Sequence, residues 1–192
     1  MEDRVLIRRI KKGDKAAFEE LVVKHYENIF AYCFRRTGSR QDAEDLTQEV
    51  FLKLVKAVYK YQSTGKFSNF IFTIAVNCCN DFLRRQVRQR EREVAGEAAG
   101  DASGEVTGNA MPVEQGAEEK AMIREDSRVL YRRLAGLNDT QREALILHYF
   151  HGFRAREIAA MTGVPLATAK SRIRQGMEHL RRQYTDEGEE EL

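Results

Sequence analysis

Proline is nearly missing from this chain, with two residues in 192. Apolar residues recur at three-and-four spacing through most of the sequence, and with so few helix breakers that pattern predicts an all-α fold. Tryptophan is absent, and cysteine is confined to Cys33, Cys78 and Cys79. All three cysteines lie inside apolar helical patterns, and no CxxC or Cys/His ligand spacing exists, so they read as core residues. No apolar run reaches membrane-spanning length, and the opening MEDRVLIRRIKKGDK has no signal-peptide core, which predicts a cytoplasmic protein. The chain also lacks a phosphate-binding glycine loop, an HExxH motif, a di-metal carboxylate pattern and any paired nucleophile and base. A helical-bundle enzyme is therefore without support, and no cofactor, metal or small-molecule substrate is expected. Asp81 and Glu178 read as helix-surface partners of nearby arginines rather than as catalysts.

Net charge is only +2, but it is unevenly spread. Seven acids (Glu93, Glu97, Asp101, Glu105, Glu114, Glu118 and Glu119) fall in a stretch with no Lys or Arg, and Asp186, Glu187, Glu189, Glu190 and Glu191 crowd the last seven positions. Setting those twelve acids aside raises the net charge of the remainder from +2 to +14. So basic a remainder suits a polyanionic partner.

The stretch from Lys66 to Arg92, KFSNFIFTIAVNCCNDFLRRQVRQRER, has helical periodicity with Ser68 as its N-cap. Ile71, Ile74, Ala75, Cys78 and Phe82 share an arc with Phe72, Val76, Cys79 and Leu83. Together they sweep about 200°, so several elements must enclose this helix. The remaining arc carries Asn69, Thr73, Asn77, Asn80, Arg84 and Arg88, with Phe70 at its edge. Amides can pair with base edges, an aromatic ring can stack, and guanidinium groups neutralise phosphates. The same pattern would equally serve a half-solvated helix with a charged end.

Before that stretch, Val5 to Lys11 predicts a leading helix. Asp14 caps a long one through Phe18, Leu21, Val22, His25, Tyr26, Ile29, Phe30, Cys33 and Phe34, ended by Gly38. His25 lies on its apolar face and reads as a packed histidine rather than a ligand. A third helix spans about Asp42 to Tyr61, burying Ala43, Leu46, Val50, Phe51, Leu54 and Val58, with an acidic ridge of Asp42, Asp45 and Glu49. Some of that acidity simply complements the helix N-terminus. Beyond Val94 the pattern dissolves into Gly, Ala, Ser and acids, a flexible linker.

Helical pattern resumes near Glu118, breaks at Gly136 and continues from Asp139 to His151. Leu134, Leu137, Ala144, Leu145, Leu147, Tyr149 and Phe150 are the expected core, while His148 and His151 lack metal-ligand spacing. Within FRAREIAAMTGVPLATAKSRIRQGMEHLRR (Phe153 to Arg182), a short helix, a turn at Gly163 and a second helix from Leu166 make a helix-turn-helix. Leu166, Ala169, Ile173, Met177 and Leu180 form the predicted buried stripe of the second helix. Thr168, Ser171, Arg172 and Gln175 project from the opposite side, where base edges would be met. Lys170, Arg174, Arg181 and Arg182 flank them for phosphate contact.

Three segments, AEDLTQEVFLKL, KFSNFIFTIAVNCCNDFLRR and REIAAMTGVPLATAKSRIRQGMEHLR, stand in an order that resembles the extracytoplasmic-function (ECF) type of RNA polymerase sigma factor of the sigma-70 family. The resemblance implies two small helical domains: sigma domain 2 over residues 1–93 and sigma domain 4 over residues 118–185. An acidic flexible linker at 94–117 would join them, and an acidic tail would occupy 186–192. It implies that Asp45, Leu46, Gln48 and Glu49 dock on the clamp helices of the polymerase core's largest subunit, with the flap as a second contact. Lys66, Phe67, Ser68, Asn69, Phe70, Thr73, Asn77, Asn80, Arg84, Arg85 and Arg88 would recognise and open the −10 promoter element, capturing a flipped non-template base. Thr168, Lys170, Ser171, Arg172, Arg174, Gln175 and Arg181 would read the −35 duplex. Many family members are held inactive by an anti-sigma factor, which adds a third partner class to core polymerase and promoter DNA. The other reading is a stand-alone helix-turn-helix regulator with an N-terminal sensor or dimerisation bundle. It leaves the Asn/Phe/Arg stripe without a task.

The chain departs from the family at several points. Phe70 stands where the family usually has Trp, Thr73 where it often has Arg, and Arg154 and Ala167 where it often has Ser and Gly. The tail DEGEEEL goes beyond the family pattern and is placed to compete with DNA for the basic reader helix. Deleting Asp186 to Leu192 is expected to raise the DNA affinity of the isolated protein. Unchanged binding at low salt would refute that competition.

Overall fold

A computed structural model of the chain describes residues 2–62, 65–97 and 133–189. The chain divides into two compact units, one within residues 1–105 and the other within 106–192. All regular elements among the described residues are helical. None of these helices is long and apolar enough to cross a membrane.

The first unit contains α1 (Asp3–Lys11), α2 (Lys15–Thr37), α3 (Arg40–Ala57) and α4 (Phe67–Glu97). Asp14 caps α2 by accepting from the Ala17 amide at 3.1 Å, and Gly38 ends it in the left-handed region at φ 76°, both as the sequence predicts. Ser39 then caps α3 by accepting from the Asp42 amide, so α3 starts before the expected Asp42 and stops well short of Tyr61. After Val58 the chain turns, which lets Tyr61 fold its ring back into the core instead of extending the helix.

Helix α4 packs against both α2 and α3, burying Ile71, Phe72, Ala75, Val76, Cys78 and Cys79. Ile74, Phe82 and Leu83 are only half-buried, so the enclosed arc is narrower than expected. The helix begins at Phe67, one residue before its predicted cap, because the Phe67 ring is itself a core group between His25 and Tyr61. It also runs on to Glu97, continuing into the stretch read as linker; the rest of 94–117 and the expected restart at Glu118 lie outside the described residues.

All three cysteines are buried, as expected of core residues. Cys79 Sγ donates to Cys33 Sγ across 3.8 Å, and this hydrogen bond, with burial adding to it, holds the Cys79 thiol well above its ordinary range. The periodicity gave no sign of Arg36. It is 1% exposed, and its guanidinium donates to Asn80 Oδ1 at 2.9 Å, tying α2 to α4.

The second unit has α5 (Asp139–Leu145), a π-helical turn (Ile146–Phe150), α6 (Ala155–Thr162) and α7 (Leu166–Glu189). Asn138 caps α5 through the Gln141 amide. Arg142 closes the bend at Gly136 by donating to the carbonyls of Leu134, Ala135 and Leu137. The π turn corrects the predicted core. Its wider winding displaces each following side chain around the axis, so Ile146 is buried while Tyr149 and Phe150 face out at 57% and 36% exposure. Gly163, at φ 67°, makes the helix-turn-helix bend. On α7 the buried stripe is also shifted. Ala169 and Gly176 are buried, Ile173, Met177 and Leu180 are half-buried, and Leu166 at the first position is exposed. Gly176 lies under α5, where an added Cβ would meet Leu145 Cδ1 at 2.9 Å and Cγ at 3.0 Å.

Two stability predictions follow from this packing. Gly176→Ala would gain about 1 kcal/mol of helix propensity but would force a buried leucine aside at a cost of about 1–3 kcal/mol. Thermal denaturation should therefore show a net loss for Gly176→Ala and a larger one for Gly176→Val. A gain in stability from both would refute the close approach. Asn80→Ala strips a buried guanidinium of an acceptor and should cost roughly 1.5–3 kcal/mol. Asn77→Ala, on the exposed side, should stay within about 0.5 kcal/mol in the same urea titration.

Candidate nucleic-acid interface

Asn69, Phe70, Thr73, Asn77, Asn80, Arg84 and Arg88 fall within roughly 100° of arc on α4, facing away from its buried rows. Asn77, Arg84 and Arg88 are exposed, whereas Asn69, Phe70, Thr73 and Asn80 are half-buried. The internal rows of α4 thus press on α2 and α3 while this stripe reaches solvent. Along it, Thr73 Oγ1 donates to the Asn69 carbonyl at 2.7 Å, which fixes its hydroxyl on the helix itself. Asn80 is engaged by Arg36 and contributes structure as well as a polar surface. Arg88 Nε returns to the Arg84 carbonyl, and Arg84 lies 3.6 Å from Asp81, so the comb of guanidinium groups is held along the helix.

At the head of the stripe, Tyr61, Phe67 and Phe70 form an aromatic cluster. Ring centroids are 4.6 Å apart for Tyr61 and Phe70, 5.5 Å for Tyr61 and Phe67, and 6.0 Å for Phe67 and Phe70. Phe67, named from the sequence as a DNA contact, is only 4% exposed; it anchors α4 and offers no face outward. Phe70 is half-exposed, with Tyr61 behind it. His25 packs its ring edge-on to Phe67 at 5.3 Å and places Nε2 3.2 Å from Asp3, so it is a packed histidine as expected. Lys66 and Ser68 are exposed and half-exposed beside a cavity of about 420 Å³ that also borders Asp3, Lys24, Tyr61 and Phe67.

The acidic ridge on α3 is in part a surface. Asp45 and Gln48 are exposed and Glu49 is half-exposed, but Leu46 is 2% exposed and belongs to the core. Glu49 pairs with Lys53 at 2.7 Å, and this hydrogen bond lifts the Lys53 ammonium above its ordinary pKa. Arg85 approaches the same carboxylate at 4.0 Å, away from the Arg84 and Arg88 side. On the outer side of α3, Leu52 and Val55, with Tyr59 just past the helix end, are exposed apolar residues that the sequence reading did not single out. Their spacing of three and four on the solvent side was the available signal.

In the second unit, Thr168, Ser171 and Arg172 are half-buried and Gln175 is exposed, all on one side of α7. Lys170, Arg174 and Arg181 are exposed along a neighbouring side, with Arg174 3.4 Å from Glu178. Arg154 precedes α6, and its amide donates to Glu157 at 2.8 Å, so the carboxylate satisfies the N-cap amide as the second half of a capping box would.

Comparison with known proteins agrees with this layout. The family described as Sigma-70 region 2 matches residues 21–89, and that described as Sigma-70, region 4 matches residues 127–180. Over 182 residues the chain is 30% identical to the ECF RNA polymerase sigma factor SigW of Bacillus subtilis, covering 94% of this chain and 95% of that one. Identity to the ECF RNA polymerase sigma-E factor of Escherichia coli is 29% over 174 residues, 90% and 89% of the two chains. In fold it is similar to the sigma factor RpoE from Bartonella quintana, solved with the anti-sigma factor NepR. The TM-score is 0.64 at 23% identity, over 88% of this chain and 96% of that one. CnrH, solved with the cytosolic domain of CnrY, gives a TM-score of 0.67 at 22% identity, over 96% and 97%. With two region matches in order and a relative aligned nearly end to end, the chain belongs to the ECF sigma factors of the sigma-70 family, initiation factors that direct RNA polymerase to promoters.

Proposed function

We propose a division of labour between the two units, each acting on a different form of promoter DNA. In the first, Asp45, Gln48 and Glu49 dock on basic residues of the polymerase clamp helices while buried Leu46 holds α3 in place. Asn69, Thr73, Asn77 and Asn80 line the path of the melted −10 strand, with Phe70 as the stacking face, Lys66, Ser68, Arg84 and Arg88 along its backbone, and Arg85 flanking it from the Glu49 side. Phe67 supports Phe70 from beneath. The observation that carries this reading is the exposed Asn77–Arg84–Arg88 line running on from the half-exposed Phe70 ring on a helix buried along its other side. Unstacking a base costs a few kcal/mol, which stacking on an aromatic offsets at about 1–3 kcal/mol per base.

In the second unit, Thr168, Ser171, Arg172 and Gln175 read base edges of the −35 duplex, and Lys170, Arg174 and Arg181 hold its phosphates. Residues 94–117 tether the units, and the polymerase flap meets the second. The bacterial cytoplasm, where the polymerase works, is the site of action. RpoE of B. quintana was solved with an anti-sigma factor, and a partner of that class is proposed here too. A stand-alone regulator would leave the region 2 match over residues 21–89 unexplained.

Reconstituted holoenzyme, footprinted on genomic fragments for duplex protection and strand opening, tests the assignment. Arg84→Gln with Arg88→Gln should keep core binding and −35 protection but lose most −10 opening, and the salt dependence should fall by about 0.7 per phosphate contact removed. Arg172→Ala should do the reverse, weakening duplex binding by about 1–3 kcal/mol while a pre-melted −10 template still supports initiation. Wild-type opening by the double arginine variant would sink the assignment of α4.

A further inference from the structure

We infer that Lys11, at the end of α1 and far in sequence from every residue assigned above, is a positioning residue for promoter opening. It acts by clamping the segment that leads into α4. Its Nζ donates to the Tyr61 carbonyl at 2.6 Å, joining residues fifty positions apart. Tyr61 is the hub of that segment. Its hydroxyl donates to the Gly65 carbonyl at 3.1 Å, its ring lies edge-on to Phe67, and it stands 4.6 Å behind Phe70. One ammonium therefore fixes the backbone of the residue that sets both the loop's far end and the rear face of the stacking ring.

The chemistry favours a lysine in this place. A carbonyl past the end of α3 has no helical partner, and a charged donor makes a stronger hydrogen bond than a neutral one. Lys11 is in the last turn of α1, where the helix dipole also favours a cation. Helix α1 packs on α2, so the clamp is mounted on the folded bundle rather than on the loop it restrains. Tyr61 and Gly65 both border the cavity beside Lys66 and Ser68, so the clamp also sets one wall of that opening. A captured base then meets a pre-set face and does not have to order the loop itself.

This inference rests on the assignment of α4 to −10 opening, and its test separates the two. Holoenzymes carrying Lys11→Met, which keeps the aliphatic stem, and Lys11→Arg, which keeps a cationic donor, would be compared with wild type. Strand opening would be followed by the fluorescence of 2-aminopurine in the −10 element, and hydrogen exchange would be measured on the intact chain. Lys11→Met should open DNA about fivefold more slowly, as expected for loss of one charge-assisted hydrogen bond at a partly solvated site. Lys11→Arg should restore most of the rate, and core affinity and −35 protection should not change. Exchange should quicken at residues 60–68 alone; faster exchange throughout the first unit would mean general destabilisation and would overturn the clamp. Opening by Lys11→Met at the wild-type rate would overturn it as well, leaving α4's assignment intact. Failure of the wild-type holoenzyme to open the −10 element would overturn both.

Discussion

The enclosure of α4 by two other helices is the constraint on which the first unit depends. A helix of that length has two demands placed on one surface, since the side that holds the bundle together cannot also meet a ligand. Here the demands are met by rows a short rotation apart. Ile71, Ala75 and Cys78 face inward, and Asn77, Arg84 and Arg88 face outward. Arg36 crosses between the two. A guanidinium with 1% exposure would be costly to desolvate alone, and its bond to Asn80 couples the core directly to the polar stripe.

The architecture was legible in the sequence because its main signals are local. Asp14, Gly38 and Gly163 punctuate the chain as capping and turn chemistry require, and the structure has each in its expected role. Family resemblance and periodicity pointed to the same two helical units. What periodicity could not reveal depended on contacts between elements. Phe67 stands ahead of the predicted cap, and only the folded bundle shows that it is core. Leu46, by contrast, is in the core where periodicity puts it, so the docking role that the resemblance gave it is not one of surface contact. Arg36 and Asn80 are polar in the sequence and partners only in three dimensions.

The second unit shows another kind of failure. A spacing of 100° per residue assumes uniform α-helical winding, and the turn at Ile146–Phe150 does not wind that way. Tyr149 and Phe150 were therefore assigned to the interior although they face outward. On α7, the expected stripe of large residues passed over Gly176, whose lack of a side chain is what admits Leu145. An empty position carries no hydropathy signal, so close approach of two helices is hard to find from hydrophobic patterns alone.

That contact between α5 and α7 has a mechanical consequence. Backbone and side chain meet closely there, so α7 can move nearer to α5 only if Leu145 gives way. On the proposed assignment of α7 to the −35 duplex, a groove that called for a closer approach would have to be met by bending of the DNA, at a cost set by its sequence.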